Sequence, residues 1–290
     1  MKKVLAFDIG GTKVAYAVID EIGNFVNEVI KVTTPKTSEG IYELFSDVIK
    51  NFENNIDGVS IATAGAINND NNKIISHVGN LPAGYNQLDF MRLTSKPILL
   101  ENDANSAAWA EYKLGAAKGT KHAVVLTLGT GVGSGIIVDG KLLKGKSGAA
   151  GEMHVRFGFE HRRKCTCGLW DCLETYVSGN TLTTDAQIYM KEDMTSYDVI
   201  QGLKDGNLQA HEAFNHWQSC LENTLVMMGN LFDPEVIVLS GSMAQFVEYE
   251  KLNKQANEDI LTRPFILKQA VFENNAGMLG AALLLLEKLK

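Results

Sequence analysis

Positive charge and long apolar runs are both scarce in this chain of 290 residues. It carries 27 Lys and Arg against 34 Asp and Glu, a formal net charge of -7, and no basic stripe stands out along it. Nucleic-acid binding needs Lys and Arg clustered on one face, so we expect no nucleic-acid partner. The apolar run at the N-terminus stops at Asp8, and the run at residues 278–286 is far shorter than a bilayer span. We therefore expect a cytoplasmic protein without a membrane partner.

Cysteine is rare as well, and its distribution is uneven. Three of the four cysteines, Cys165, Cys167 and Cys172, form the pattern C-x-C-x4-C. In a cytoplasmic protein, clustered cysteines are metal ligands more often than disulfide partners. Three thiolates can bind one tetrahedral zinc ion if a histidine supplies the fourth ligand. The remaining cysteine, Cys220, stands alone in a helical stretch, and we expect it to be buried.

A glycine turn near the N-terminus separates an apolar strand at residues 3–7 from an alternating strand at residues 14–20. This pattern predicts a strand-turn-strand hairpin. The glycines would let backbone N–H groups approach a phosphate closely, and Asp8 could hold a magnesium ion through water. A plain glycine hairpin without a ligand is the other interpretation. The candidate nucleotide-binding residues are Asp8, Gly10, Gly11, Thr12 and Lys13.

The same arrangement recurs far along the chain. An apolar strand at residues 124–128 precedes the turn L-G-T-G-V-G-S-G, and a further strand follows it. Repetition predicts two halves of similar topology. A nucleotide held between two such hairpins would have its phosphates contacted from both sides, here through Thr130, Gly131 and Gly133. The turn is not a P-loop, because the Lys-Ser/Thr ending of that motif is absent.

Strand ends between the two hairpins supply further candidates. The strand at residues 59–62 leads to a turn that contains Gly65, and a second turn surrounds Asn80. The strand at residues 97–100 ends just before Asn102 and Asp103, and an alanine-rich helix follows. Ligands of α/β sheets collect beyond the carboxyl ends of strands. Asn and Asp are also favoured helix caps, so capping is the alternative role for this pair.

The D-x-G-G-T turn at Asp8 and the later L-G-T-G-V-G-S-G turn together resemble the actin-like, duplicated ATPase fold, and specifically the ROK family of sugar kinases. The likeness extends over essentially the whole chain. It implies an α/β, duplicated actin-like ATPase (ribonuclease H-like) fold with two domains and a cleft between them. The implied domains are residues 1–117, with the terminal helix 276–290 packing back on them, and residues 118–275, with a zinc-type loop at 151–174. A homodimer is implied as well.

The resemblance also implies roles for individual residues. In ROK kinases the Asn-Asp pair at this strand-helix junction contacts the sugar and its Asp is the catalytic base, which points to Asp103. Such an enzyme uses ATP with Mg²⁺, and the turn at Gly241 passes close to the adenosine. The residues implied to contact a small-molecule sugar are Gly65, Asn80, Asn102, Asp103, Glu152, His154 and Glu174.

The cysteine stretch matches the family pattern incompletely. ROK kinases usually carry G-E-x-G-H followed by C-x-C-G-x-x-G-C-x-E, in which the His is a zinc ligand. Here Val155 stands where the family has that His, and His154 stands where it has Gly. Asp171 replaces the Gly before the last Cys. We expect a structural Zn²⁺ whose fourth ligand is His154 after a small backbone shift, His161, or no histidine.

The expected reaction follows from the same resemblance. Within the family, the segments A-T-A-G-A-I-N-N and N-D-A-N-S-A-A-W-A-E-Y are most similar to those of bacterial kinases that phosphorylate the 6-hydroxyl of N-acetylmannosamine with ATP. A glucokinase or another ROK hexose kinase is the alternative. A sugar-responsive ROK regulator is a remote alternative, because such regulators carry a winged helix-turn-helix before the first strand, which here starts at Lys3.

Overall fold

Backbone contacts group the chain into two units. The computed structural model describes residues 1–76, 78–158, 160 and 162–290. Unit 1 comprises Met1–Lys118, Lys141–Gly151 and Asn274–Lys290, and unit 2 comprises Gly119–Gly140 and Glu152–Glu273. The domain boundaries expected from the sequence stay a prediction, because a grouping by contacts does not test which segments fold independently.

Unit 1 is built on a mixed sheet with the strand order β3-β2-β1-β4-β5. Its strands are β1 (Lys3–Ile9), β2 (Lys13–Asp20), β3 (Ile30–Thr33), β4 (Gly58–Thr63) and β5 (Ile98–Asn102). β1 and β2 form the predicted antiparallel hairpin, whereas β1, β4 and β5 run parallel. The central strand β4 is buried along its whole length. A parallel strand covered on both faces has a continuous apolar sequence, which is why this segment was recognisable as a strand.

The second sheet repeats this topology with the order β10-β9-β6-β7-β8. Its strands are β6 (Ala123–Leu128), β7 (Val132–Val138), β8 (Lys141–Leu142), β9 (Val236–Ser240) and β10 (Ile266–Gln269). β6 and β7 form the second antiparallel hairpin, and β9 pairs in parallel with both β6 and β10. Position by position, β6 to β10 take the places that β1 to β5 take in the first sheet. The predicted duplication is therefore confirmed.

Helices connect and cover the strands. They are α1 (Ser38–Phe52), α2 (Asp103–Lys113), α3 (Glu174–Val177), α4 (Gly179–Tyr189), α5 (Ser196–Lys204), α6 (Leu208–Phe232), α7 (Tyr249–Glu258) and α8 (Ala276–Lys288). In the part of the chain that the structure describes, none of them is long and apolar enough to cross a membrane.

The long helix α6 follows from apolar residues at helical spacing, namely Phe214, Trp217, Leu221, Leu225 and Met228. All five are buried, and the indole N–H of Trp217 donates to Val177 O at 3.1 Å. This face of the helix therefore belongs to the core of unit 2. Cys220, on the same helix, is a buried free cysteine as expected.

Two edge strands escaped the sequence analysis. β3 has no buried residue along its length, and β10 has one, Leu267. An edge strand that is mostly exposed carries no apolar alternation, so its sequence does not differ from that of a loop.

The last helix, α8, packs on α2 and on the parallel strands of unit 1. The two helices approach so closely that a Cβ added to Gly280 would lie 1.6 Å from the carbonyl oxygen of Ser106. A Cβ added to Gly277 would lie 2.7 Å from Asp8 Oδ2. Glycine is therefore required at Gly280, because the backbone of Ser106 cannot rotate away, whereas a side chain at Gly277 would displace the Asp8 carboxyl group.

We expect Gly280→Ala to lower the free energy of unfolding by at least about 2 kcal/mol, since its methyl group would collide with backbone rather than with a flexible side chain. Helix propensity alone predicts the opposite sign, a gain of about 1 kcal/mol. Urea denaturation followed by circular dichroism measures the change. Glu287→Ala on the same helix removes only a partly exposed ion pair with Lys113 and is the control, with an expected change below about 1 kcal/mol.

Candidate active site and metal cluster

The β1–β2 turn presents unpaired backbone donors. Gly10 N donates to Lys13 O at 3.0 Å and closes the turn, while the Thr34 hydroxyl donates to Gly10 O at 2.7 Å. Among the described residues, the N–H groups of Gly11 and Thr12 have no protein acceptor. Adjacent unpaired N–H groups in a tight turn form an anion-binding concavity, so this geometry fits a phosphate.

Two carboxyl groups with raised pKa values lie near this turn. Burial, together with the negative charge of Asp103, raises the pKa of Asp8 to about 7. Solvent reaches the Asp103 side chain, yet the protein packed around it desolvates the carboxyl enough to raise its pKa. Mg²⁺ takes carboxylate oxygens as ligands, and a bound cation would stabilise the charged form of a buried carboxyl group, so Asp8 fits a Mg²⁺ ligand.

The junction between β5 and α2 gives Asn102 and Asp103 different roles. Asn102 is the helix N-cap, because its Oδ1 accepts from Asn105 N at 3.0 Å, and its Nδ2 donates to Gly65 O at 3.1 Å. Asp103 is the first residue of α2, and its Oδ1 accepts from Ala104 N at 2.8 Å. Asn102 is thus held by protein contacts, whereas the Asp103 carboxylate remains accessible to a substrate.

Gly65 and Asn80, the predicted sugar-loop residues, lie against these same elements. Gly65 has a φ of +94°, and an added Cβ would lie 2.7 Å from Val78 Cγ2. A Cβ added to Gly11 would lie 2.7 Å from the carbonyl oxygen of Asn80. The first glycine turn therefore packs on the backbone of the Asn80 loop, and unit 1 brings its predicted phosphate and sugar residues into one neighbourhood.

Unit 2 repeats the glycine turn between β6 and β7. Gly129 N donates to Gly131 O at 3.0 Å, and Gly133 N donates to Thr127 Oγ1 at 3.1 Å. The N–H groups of Thr130 and Gly131 find no acceptor within the described ranges of the chain. The second turn therefore has the same unpaired donors as the first.

Gly241 borders this second turn. It follows β9 with a φ of +87°, and an added Cβ would lie 2.5 Å from Leu128 O. Met243 N donates to the same carbonyl at 3.0 Å. Gly241, predicted on the adenosine side, and Leu128, which leads into the glycine turn, are therefore in direct backbone contact.

His154, Cys165, Cys167 and Cys172 form one cluster, in which the four ligand atoms lie within 4.8 Å of one another. Zn–S bonds of about 2.3 Å place two sulfurs of a tetrahedral site roughly 3.8 Å apart, so a small contraction would bring these side chains onto one ion. His154 therefore occupies the fourth corner of the cluster. His161, the alternative ligand, lies outside the described residues.

A strand-like pairing explains how His154 reaches the cysteines. Arg156 forms an antiparallel bridge with Cys172, and Leu173 N donates to Val155 O at 2.8 Å. This pairing holds the residues that follow His154 against the end of the cysteine loop. Val155 uses its carbonyl in the pairing and turns its side chain, which is 43% exposed, toward solvent.

The three thiols resist ionising together. Burial and the neighbouring cysteines raise the pKa of Cys172 to about 12, and burial raises the pKa of Cys165. Burial would also raise the pKa of Cys167, but hydrogen bonds from Leu169 N and from the other two thiols outweigh it and lower that pKa. A bound divalent cation would stabilise all three thiolates, so the donor set fits zinc.

Two glutamates flank the cluster. Glu152 Oε2 lies 3.7 Å from His154 Nε2. Glu174 begins α3, and its Oε2 accepts from Val132 N at 3.2 Å while its Oε1 accepts from Thr166 Oγ1 at 3.4 Å. Glu174 thus joins the cysteine loop to the end of the second glycine turn, a connection that the sequence did not indicate.

Asp171 is a departure from the family pattern for which the structure gives a physical reason. It is fully buried and has a φ of +58°, a conformation that favours glycine. Its Oδ1 accepts from Arg162 N at 3.1 Å, from Arg163 N at 2.9 Å and from Tyr176 Oη at 2.9 Å. The carboxylate therefore fixes the backbone just before Cys165, which a glycine could not do.

Sequence reasoning missed other residues of unit 1 that surround Asp8 and Asp103. Gly277 covers Asp8, and the hydroxyl groups of Tyr85 and Thr63 lie 2.9 Å apart in the core. Burial raises the pKa of Tyr85, and the charge of Asp103 adds to this effect. Local patterns could not reveal these residues, because each acts through a partner distant in the sequence.

We expect Asp171→Gly to destabilise the protein by about 2 kcal/mol or more. The gain from removing a left-handed residue is about 1 kcal/mol, and it is smaller than the loss of three hydrogen bonds to a buried carboxylate. Chemical denaturation measures the difference. Asp233→Gly is the matched control, because Asp233 has a φ of +44° at the end of α6 and its side chain bonds to no described residue. A neutral or stabilising Asp171→Gly would contradict the assigned role.

Sequence comparison with known proteins identifies the family of this chain. The sequence profile described as "ROK family" matches residues 4–288. An N-acetylmannosamine kinase from Yersinia pestis (strain Pestoides F) is 31% identical over 293 residues, covering 98% of this chain and 98% of that protein.

Solved structures are similar over the same length. A ROK family glucokinase from Streptomyces griseus, in complex with glucose and AMPPNP, has a TM-score of 0.82 and 27% identity, covering 97% of this chain and 98% of that one. A ROK hexokinase from Thermus thermophilus has a TM-score of 0.83 and 29% identity, covering 99% and 100%. With its duplicated sheets, paired glycine turns and accessible carboxylate, the chain belongs to the ROK family and is a sugar kinase.

Proposed function

We propose that this kinase transfers the γ-phosphoryl group of ATP to the 6-hydroxyl of N-acetylmannosamine. The observation that carries the proposal is the accessible carboxylate of Asp103, at the end of the sheet where the β1–β2 turn presents unpaired N–H groups. The choice of sugar rests on the Yersinia pestis relative, an N-acetylmannosamine kinase with 31% identity over nearly the whole chain.

Asp103 acts as the general base in this proposal. Phosphoryl transfer to an alcohol requires alignment, neutralisation of charge and a late acceptor for the hydroxyl proton. The raised pKa of Asp103 makes its carboxylate a better proton acceptor than an ordinary aspartate. Asp8 would hold Mg²⁺, which when bound neutralises charge on the phosphates.

The glycine turns supply the phosphate contacts in this proposal. Their unpaired N–H groups donate to phosphate oxygens, which align the γ-phosphoryl group at no cost in side-chain entropy. Gly241 lies near the adenosine. In the described part of the chain, the unpaired N–H groups are those of Gly11, Thr12, Thr130 and Gly131, and Gly10, Lys13 and Gly133 of the same turns are further ATP contacts expected from the family resemblance.

The sugar contacts in this proposal are the residues expected from the family resemblance. Asn80, Asn102 and the loop at Gly65 are assigned to the sugar on this basis. Glu152, His154 and Glu174 are assigned to hydroxyl groups near the anomeric end. Glucose is the second candidate substrate, because the Streptomyces griseus structure is that of a glucokinase with bound glucose. The homodimer and the cytoplasmic location are further expectations from the family.

A coupled ADP-release assay over N-acetylmannosamine, N-acetylglucosamine, glucose, mannose, allose and fructose tests the substrate. We expect the highest kcat/KM with N-acetylmannosamine. A maximum with glucose would establish the alternative, and no turnover on any of the six would contradict the proposed function. Asp103→Asn is the control for the base, with a kcat at least about a hundredfold lower, because general-base catalysis contributes roughly 10²–10⁴-fold. Unchanged kcat in this variant would remove Asp103 from its role.

We also propose that His154, Cys165, Cys167 and Cys172 bind a structural Zn²⁺ ion. Zinc in a closed four-ligand site supplies a cross-link between segments rather than chemistry. The ion would stabilise three thiolates whose pKa values are otherwise pushed apart by burial and by one another.

Protein purified without chelator is expected to contain about one zinc per chain by elemental analysis, as one closed site requires. Cys167→Ser should lose most of that zinc, because a hydroxyl replaces a thiolate ligand. Cys220→Ser is the matched control, since Cys220 is a free cysteine outside the cluster, and it should retain the zinc. Absence of zinc from the unmodified protein would overturn this assignment and leave the kinase proposal intact.

A further inference from the structure

A buried ion pair lies directly behind the catalytic junction. The Glu101 side chain is 2% exposed and that of Lys144 is 19% exposed. Lys144 Nζ lies 2.7 Å from Glu101 Oε2 and 3.0 Å from Oε1. Glu101 belongs to β5 and precedes Asn102, whereas Lys144 follows β8, so the pair ties the junction to the segment 143–151.

The Glu101 carboxylate accepts several further hydrogen bonds. Its Oε1 accepts from Asn102 N at 2.9 Å and from Asn105 Nδ2 at 3.2 Å, and its Oε2 accepts from Asn71 Nδ2 at 2.8 Å. Two of these donors, Asn102 and Asn105, are the residues that form the N-terminal cap of α2. The carboxylate therefore sets the direction in which β5 turns into the helix that carries Asp103.

The segment that carries Lys144 is itself held in place. Asn69 Nδ2 donates to Gly145 O at 3.2 Å and to Lys146 O at 3.0 Å. Gly148 has a φ of +98°, and an added Cβ would lie 1.8 Å from Ile67 O. Lys144 thus projects from a segment that packs closely on the turn after β4, and the position of its ammonium group is well defined.

Stability alone does not account for this pair. Taking two charges out of water costs several kcal/mol per ion, and apolar replacements of buried pairs are often equally or more stable. The hydrogen bonds favour the charged pair, because an apolar pair would leave Asn102 N and Asn105 Nδ2 without these acceptors and would leave Asn71 Nδ2 with Leu100 O alone. A buried carboxylate can collect all these donors at one point.

We propose that Glu101 and Lys144 are positioning residues for Asp103. Glu101 orients the strand-helix junction through its hydrogen bonds, and Lys144 fixes and neutralises Glu101. Neither residue is assigned a contact with substrate. The inference rests on the proposed role of Asp103 as the base, and a misplacement of about 1 Å at such a group can lower the rate roughly a hundredfold.

Two substitutions at one position separate geometry from charge. Glu101→Asp keeps the negative charge but withdraws the carboxylate by one methylene from Asn102 N. Glu101→Gln keeps the length and one acceptor oxygen but removes the charge. Steady-state kinetics are measured well below the Tm of each variant, so that only folded protein contributes. Lys144→Met is the third variant, and Lys113→Met, from the partly exposed pair with Glu287, is its control.

Positioning predicts that Glu101→Asp lowers kcat at least tenfold with the KM for ATP within twofold, whereas Glu101→Gln stays within about threefold. We expect Lys144→Met to lower kcat at least tenfold and Lys113→Met to leave it unchanged. Equal losses in Glu101→Asp and Glu101→Gln would overturn positioning in favour of charge. A kcat within twofold of wild type in Glu101→Asp would reduce the pair to a structural role.

The Asp103→Asn variant, assayed alongside, separates the proposed role of Asp103 as the base from the proposed positioning role of Glu101 and Lys144. If it retains activity, the proposed base is wrong. If it is inactive while Glu101→Asp turns over normally, only the positioning role fails. Should Lys144→Met not fold, the comparison of the two Glu101 variants still decides between the outcomes.

Discussion

Poor solvation of carboxylates at the end of the first sheet is the constraint on which the site of unit 1 depends. Asp8, Glu101 and Asp103 each carry a carboxyl group there, and the surrounding protein disfavours three bare negative charges. Each group meets the constraint in a different way. Glu101 has a lysine partner, Asp8 shifts its pKa to about 7, and Asp103 keeps access to solvent. The proposed roles of Asp8 as a Mg²⁺ ligand and of Asp103 as the base use these differences.

In the cysteine loop of unit 2, poor solvation likewise disfavours several negative charges close together, here on thiolates. Three thiols and an imidazole converge, and the pKa values of the thiols diverge because burial raises those of Cys165 and Cys172, whereas hydrogen bonds lower that of Cys167. The backbone of the loop is fixed separately by Asp171. At the two positions where the sequence departs from the pattern expected of the family, Asp171 holds the backbone and His154 lies beside the three cysteines.

Local signals made part of this structure predictable. Both hairpins, α2 and α6 follow from glycine turns and from helical or strand periodicity, which depend on neighbours in the sequence. The edge strands β3 and β10 lack that periodicity. The pairing of Glu101 with Lys144, and the cover that Gly277 gives to Asp8, depend on contacts between distant segments, which a single sequence does not encode in a readable form. His154 shows a further limit of prediction. The spacing of the motif places Val155 at the ligand position, but the backbone of this loop brings the His154 side chain to the cysteines instead.

The placement of α8 in unit 1 has a consequence for the order in which the protein is made. All segments of unit 2 leave the ribosome before α8 does, whereas unit 1 begins first and is completed last. Until α8 emerges, the apolar face of α2 and one face of the first sheet have no cover, and Asp8 lacks the backbone that encloses it. Domains generally fold as units during synthesis. The surfaces of α2 and of the first sheet that α8 covers therefore stay exposed until α8 has been synthesised.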